Sequence, residues 1–393
     1  MTILIDIVNF NADASCLDSQ KWLSYLSGGK NSQFCKWLSL YITHRKRMVL
    51  GLTGATLSDL YMHNPEAIIM VKNNPDIFQI IIRPYAHDIA LLRTVNGFRF
   101  NLAAGLTVLN SIFGSTTAYY LPPEFMITNE QIYILSDFFI KAVFVNASRY
   151  SADLADRIPN TNYNVKGIFG TKLGCIPVDG ELTRVYLESI QLFETEKWHN
   201  TIDSKNRIRY LWRDGESSFL LPFGIEREEF WLTNCHAERE HLGNEKFVKI
   251  NNDMYQSYPI HSFSEWMKEL RMMGYLGRID EIEKQLKTLP KMAQYIWLRT
   301  INSDILSSVE KSSPRIHLRF SASNLQSQEY RIMRSERGFE GEEYLAILCQ
   351  YIRDEKYPSR LMNPEGAHLI KAKGRIEHLK SLGPIWNNAT HYL

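Results

Sequence analysis

The chain lacks most of the features that mark specialised protein classes. Among its 393 residues there are only five cysteines, Cys16, Cys35, Cys175, Cys235 and Cys349. An odd count without C-x-x-C spacing excludes the familiar zinc and redox motifs and predicts free thiols rather than a disulfide framework. There is almost no net charge: 45 Lys and Arg against 43 Asp and Glu leave a formal +2. Without a basic stripe to hold a phosphate backbone, nucleic acid is not an expected partner. There is no long hydrophobic run. The stretch from Met1 to Asn9 carries no basic n-region, and Asp6 interrupts an apolar segment already too short for a signal peptide or a membrane span. A cytoplasmic location with no membrane partner is expected. Internal repeats and low-complexity tracts are also missing.

What the chain does have is apolar content, 45%, enough for a full-sized core, and a length that suits one large catalytic domain with an appendage. Aromatics reach 12%, with 20 Tyr and 8 Trp. Flat rings with a polar edge suit a sugar-binding cleft, and core packing accounts for them equally well.

Up to about residue 232, short apolar runs alternate with segments of helical period, the pattern of parallel strands joined by helices. Strands are predicted near 2–9, 48–52, 78–84, 117–121, 142–147, 165–169 and 207–213, and helices near 17–27, 54–62, 98–113, 129–139 and 181–193. The Thr128-Asn-Glu-Gln131 run has capping-box spacing and starts one of them. The fold class expected is α/β, an irregular seven-stranded (β/α) barrel over 1–232. A transition segment over 233–260, rich in Asn, His and charge, leads to a mostly helical domain over 261–393. There helices are expected near 266–274, 277–286, 292–309, 340–353 and 365–382, with one strand from Ile316. An apolar face on the 262–309 helices would serve packing or a homo-oligomer.

Functional groups of a β/α barrel gather at the carboxyl ends of its strands. Four places meet that rule: Asp6 to Asp13, with Asn9 and Asn11; Arg83 to Asp88, with Tyr85 and His87; Tyr119 to Glu124, with Tyr120; and Trp212 to Glu216. Glu124 follows Pro122 and Pro123, which fix φ and hold the carboxylate on a stiff turn. Taken alone, such a Glu is more often a solvated residue ahead of a helix, and Asp-Gly-Glu is common in turns. Together, two acids each following an apolar strand match what chemistry at a glycosidic bond needs. One carboxylate attacks or stabilises the oxocarbenium-like centre, and the other must hold a proton for the leaving oxygen.

On these residues the chain resembles glycoside hydrolase family 57, retaining α-glucan hydrolases, branching enzymes and glucanotransferases built on a seven-stranded β/α barrel. The resemblance covers roughly 1–232. It rests on Leu121-Pro-Pro-Glu124, similar to the family's Trp-Leu-Pro-Glu, and on Asp214-Gly-Glu216. Leu52-Thr-Gly54, Pro84-Tyr-Ala-His87 and Gly174-Cys-Ile-Pro177 add support. The resemblance implies Glu124 as nucleophile, Asp214 as general acid/base, and no metal or organic cofactor. Asn9, Asn11, Arg83, Tyr85, His87, Tyr120, Trp212 and Glu216 are the residues expected to line the sugar site. The chain departs from the family at Asn9-Phe-Asn11, where a His-Gln-Pro is usual, and at Leu121 in place of the Trp, which leaves the sugar open.

Two other readings remain. A metal-dependent deacetylase-like hydrolase on a related barrel would recruit Asp6, His87 and Asp88, although no H-x-x-x-H pair follows the second strand. A catalytically inactive barrel would bind a glycan or a protein with its mouth intact. His236-Ala-Glu-Arg-Glu-His241 carries metal-capable residues at a spacing that does not share a helical face, and is expected to be a solvated polar loop.

Overall fold

A computed structural model describes residues 2–12, 24–114, 117–127, 129–146, 162–166, 172–202, 208–220, 223–243, 245–249, 277, 279–289, 294, 297–298 and 301. The chain divides into two compact units. The first comprises Met1–Ala12, Lys21–Arg83 and Leu109–Ile260; the second comprises Asp13–Gln20, Pro84–Val108 and His261–Leu393.

The first unit is a mixed α/β structure. Its strands are β1 (Ile3–Phe10), β2 (Met48–Leu52), β3 (Phe78–Ile80), β4 (Tyr119–Tyr120), β5 (Ala142–Asn146), β6 (Tyr163–Lys166), β7 (Lys172–Val178) and β8 (Ile208–Asp214), followed by the short β9 (Glu238–Arg239) and β10 (Val248–Lys249). One sheet runs β3-β2-β1-β8 with β9 beside β1, and a second runs β10-β6-β7-β5-β4. A parallel bridge between Ile82 and Tyr120 links the two beyond the end of β3. The order β8-β1-β2-β3-β4-β5-β7 is therefore parallel throughout. At the far side, the Asp179 N–H donates to the Tyr210 carbonyl at 2.8 Å.

Side chains of a strand alternate between faces, and one parity from five of these strands, with the residues just past β3 and β4, enters a single core. Ile5, Ile7, Val49, Ile81, Leu121, Ala142, Phe144, Ile176, Val178 and Tyr210 share it, with Phe125 and Leu242. This cluster is the apolar floor beneath the strands' carboxyl ends. Each fully buried Ile, Leu or Phe of this kind contributes on the order of 1.5–3 kcal/mol.

The sixth parallel strand differs from expectation. It is Lys172–Val178; of the residues expected to form it, 165 and 166 belong to β6, which runs antiparallel to it with Tyr163 opposite Cys175, and 167–169 lie outside the described residues. Gly174 and Pro177 inside β7 make its sequence read as a turn. Several helices also add to those expected. Gln33–Thr43 starts at Ser32, whose hydroxyl accepts from the Cys35 N–H, and Pro65–Asn73 starts at Asn64 with Pro at its first turn. Glu196–Ile202 and Gly224–Asn234 are two more, each packed against Gly180–Leu192. The segment expected to be a solvated loop at 236–241 contains β9, and Arg239 is buried there. Of the five cysteines, Cys35, Cys175 and Cys235 are buried free thiols.

In the second unit, Arg93 is fully buried between Asp88 and Glu283, at 3.2 Å and 2.9 Å, and Glu283 also accepts from the Thr94 N–H. Burial pushes the Asp88 carboxyl up to about 7, against the pull of Arg93. Residues 279–283 are helical. The helices expected near 266–274, 340–353 and 365–382, the strand from Ile316, and most of those near 17–27 and 292–309 lie outside the described residues, as does Thr128. Among the described residues no helix is long and apolar enough to cross a membrane.

Candidate active site

The inward parity that supplies the apolar floor changes character at its last rung. On β1 the sequence Ile5, Ile7 is followed by Asn9; on β8, Tyr210, Trp212 is followed by Asp214; on β2, Val49 is followed by Gly51; and after β3, Ile81 is followed by Arg83. Register places Asn9 opposite both Gly51 and Asp214, so a polar layer lies directly above the hydrophobic one. The position of Gly51 has a steric cause. A Cβ there would meet Arg83 Cδ and Leu121 Cδ2, each at 3.3 Å, so the glycine lets the arginine stem lie across β2.

Asp214 ends β8 and is partly buried. Burial raises its carboxyl to about 6; the Glu216 N–H hydrogen bond lowers it, the charge of Glu124 raises it further, and Arg83 opposes that rise. Its Oδ1 is buried and makes no hydrogen bond among the described residues. Because the folded value lies above the ordinary 3.8, the ionised form weighs against the fold. That contribution to stability is fully present below about 3.8 and is lost as pH rises through about 6. Asp214→Asn should therefore raise stability at neutral pH by on the order of 1–3 kcal/mol, read as a higher urea midpoint, with the gain vanishing below pH about 4.

Glu124 sits on the turn that the two prolines predict. Pro123–Phe125 forms a single 3-10 turn, closed by the Phe125 N–H to Pro122 and the Met126 N–H to Pro123. Glu124 and Phe125 both have left-handed backbones, with φ of 52° and 59°. For side-chain-bearing residues this conformation costs about 1–3 kcal/mol each and persists only where the surroundings impose it. Here Phe125 imposes it: its ring is buried in the apolar floor and packs edge-on against Trp212 at 5.2 Å. Trp212 thus ties the Glu124 turn to the strand that carries Asp214.

The Asp-Gly-Glu run is fixed in the same way. A Cβ on Gly215 would lie 2.8 Å from Val8 Cγ1 and 3.0 Å from Phe10 Cδ2, and the Gly215 N–H donates to the Asn9 carbonyl at 2.7 Å. The Glu216 carboxylate accepts from the Asn11 N–H, while Asn11 Oδ1 accepts from the Thr53 hydroxyl at 3.4 Å. Gly215→Ala should push the end of β8 away from β1, costing about 1–3 kcal/mol by overpacking, measured by urea denaturation. Any turnover should fall further than this loss of stability explains.

The structure therefore brings Glu124, Asp214 and Glu216 within electrostatic reach of Arg83, with Asn9 level with Asp214 and Trp212 one rung below, level with Ile7. Tyr120 is fully buried on the opposite parity of β4, and its hydroxyl is an electrostatic neighbour of Arg83. Tyr85 and His87 are buried in the second unit, where the Tyr85 N–H donates to the Asn101 carbonyl at 3.0 Å. The positions that the sequence did not single out are Gly51 and Phe125, which with Thr53 hold the acids' surroundings in place.

Two of the three ligands of the metal-dependent reading, Asp6 and Asp88, are held in ion pairs. Asp6 takes the opposite parity to Asn9 and binds Arg213 Nε at 2.6 Å and Arg239 Nη1 at 3.1 Å. Asp88 is paired with Arg93. Among the described residues no group of three or more His, Cys, Asp or Glu converges as a metal site would require.

No protein-family model matches the chain, and no curated protein matches it. Solved structures do. The GH57-type branching enzyme of the archaeon Pyrococcus horikoshii matches at a TM-score of 0.64 and 10% identity, over 98% of this chain and 96% of that one. The GH57 branching enzyme of Thermococcus kodakaraensis matches at 0.62 and 10%, over 99% and 96%. The 4-alpha-glucanotransferase of Thermococcus litoralis matches at 0.52 and 13%, over 97% of this chain, which spans 58% of that enzyme's length. At these identities the likeness is one of fold: the chain has a fold like that of the GH57 enzymes.

Proposed function

We propose that the protein is a carbohydrate-active enzyme, a retaining glycoside hydrolase or glycosyl-transferring enzyme of the family 57 type, built on a seven-stranded (β/α) barrel. Glu124 is its nucleophile and Asp214 its general acid/base. The observation that carries this reading is the asymmetry of the two acids at one strand-end site. Asp214 is raised to about 6 by burial and by the charge of Glu124, while Glu124 is offered from a backbone conformation that the core enforces. An acid that holds its proton to a higher pH than a free carboxyl, set beside a second carboxylate, is the division of labour that glycosidic cleavage requires.

In this mechanism the Asp214 proton passes to the departing oxygen as Glu124 attacks the anomeric carbon. Asp214, now ionised, then takes a proton from the incoming water or sugar hydroxyl, which displaces Glu124 with overall retention. Glu216 acts through its hold on the β1 loop, and Trp212 presents a flat apolar edge beside the turn. The test is turnover of aryl α- and β-glycosides and malto-oligosaccharides by the wild type, Glu124→Gln and Asp214→Asn, with and without a chelator. Loss in both variants and indifference to chelator supports the reading. Loss in chelator alone, or equal turnover in all three proteins, overturns it.

A further inference from the structure

Arg83 has no role in the mechanism above, and its state asks for one. Its side chain is 2% exposed. Nη1 donates to the Leu121 carbonyl at 2.9 Å, while Nε and Nη2 are buried and make no hydrogen bond among the described residues. Glu124, Asp214 and Glu216 influence it through space, yet none closes a hydrogen bond with it. A buried cation left unpaired is expensive, and buried charges are ordinarily matched by a directed partner. The two unpaired donors lie on one edge of a planar group, Nε–H and Nη2–H side by side, the kind of edge that receives a carboxylate bidentately. Nη1, held by Leu121, fixes the plane. Gly51 gives up its side chain to let the stem pass, and Asn9 Oδ1, one strand away, is a further buried acceptor without a hydrogen bond among the described residues.

We infer that Arg83 is a specificity residue whose unpaired edge receives a carboxylate of the substrate, so that the sugar bound at Glu124 and Asp214 is a hexuronic acid residue rather than a neutral hexose. This rests on the reading of the site as a sugar site. Three acids face one arginine, so the surrounding field does not itself attract an anion. Preference for a carboxylated sugar can come only from the directed pair of hydrogen bonds, with Asn9 accepting from a neighbouring hydroxyl.

The experiment is calorimetric titration of the full-length wild-type protein with free monosaccharides, which leave no glycosidic bond to turn over. Glucuronate is compared with glucose, galacturonate with galactose, and glucose 6-phosphate serves as the alternative anion. In at least one pair the uronate should bind roughly 10- to 100-fold more tightly than its neutral partner, as hydrogen bonds to a charged group imply. Arg83→Gln should abolish that preference, and Arg83→Lys, which keeps charge but not the fork, should lose most of it. Equal binding of uronate and hexose in both pairs overturns the inference, and this comparison needs no variant to fold. Tighter binding of glucose 6-phosphate than of either uronate overturns the assignment of a carboxylate. Neutral glycosides turned over by Glu124 and Asp214 without any uronate preference would sink the inference and leave the proposed chemistry standing. Uronate binding with silent turnover would do the reverse.

Discussion

Asp214→Asn should cut kcat/KM on an unactivated glycoside by roughly 10²- to 10⁴-fold, the range over which a positioned general acid acts, and Glu124→Gln should remove turnover more completely. The two losses should differ in kind. With a leaving group that needs no proton, such as a dinitrophenolate, Asp214→Asn should still form the glycosyl-enzyme and then stall. A small anionic nucleophile such as azide should release it, because such a nucleophile needs no general base. Glu124→Gln has no intermediate to release and should respond to neither change. The pH profile follows from the same carboxyl. The free enzyme's acid must be protonated, so kcat/KM should fall as pH rises through about 6. That alkaline limb should disappear in Asp214→Asn assayed with the activated substrate. A limb that survives in Asp214→Asn would assign the proton to another group and end the proposed roles.

Some of this arrangement was legible in the chain. Apolar runs marked β1, β2 and β8 to within a residue or so, and the acids stood out because each followed such a run. The capping residues Ser32 and Asn64 also stand in the sequence, but neither has a Glu or Gln three residues on to complete a capping box, and the helices they open were not among those expected. The mismatch at β7 has a local cause, since Gly174 and Pro177 disguise a strand that is fully paired with β5. The rest was not local at all. Asp6 read as one of several polar residues at the end of a strand, because its partners Arg213 and Arg239 lie 207 and 233 residues away. Alternation alone does not say which parity of β1 faces the site. Closing the register with β8 decides it, placing Asn9 beside Asp214 and turning Asp6 to the other side. Likewise the two prolines announced a stiff turn at Glu124, but not the left-handed pair at its tip, which depends on Phe125 finding Trp212.

That other side of β1 carries the largest expected effect on stability. Arg213 is fully buried and adjoins Asp214 in sequence, but points away from the site. Its Nε and Nη2 donate to Asp6, its Nη1 donates to Glu228 at 2.7 Å and to the Tyr186 hydroxyl at 3.1 Å, and it contacts the Tyr41 hydroxyl. Its guanidinium also stacks over Trp231 at 4.6 Å from the ring centre, and Arg239 stacks on the same ring at 4.0 Å. The cluster joins β1, β8, β9 and three surrounding helices, with two cations matched to two carboxylates. Arg213→Met fills a similar volume but leaves Glu228, and in part Asp6, as buried anions without their counter-charge. Breaking a buried pair from one side costs about 3–5 kcal/mol, so the variant should unfold at a markedly lower urea concentration than the wild type. Because the cost lies in the orphaned carboxylate, Glu228→Gln in the Arg213→Met background should restore part of the loss instead of adding to it, a coupling that a double-mutant cycle reads directly. Additive losses would mean that the cluster is held by packing of the aromatic rings. In that case the ion pairs would be secondary to the stacking of Arg213 and Arg239 on Trp231.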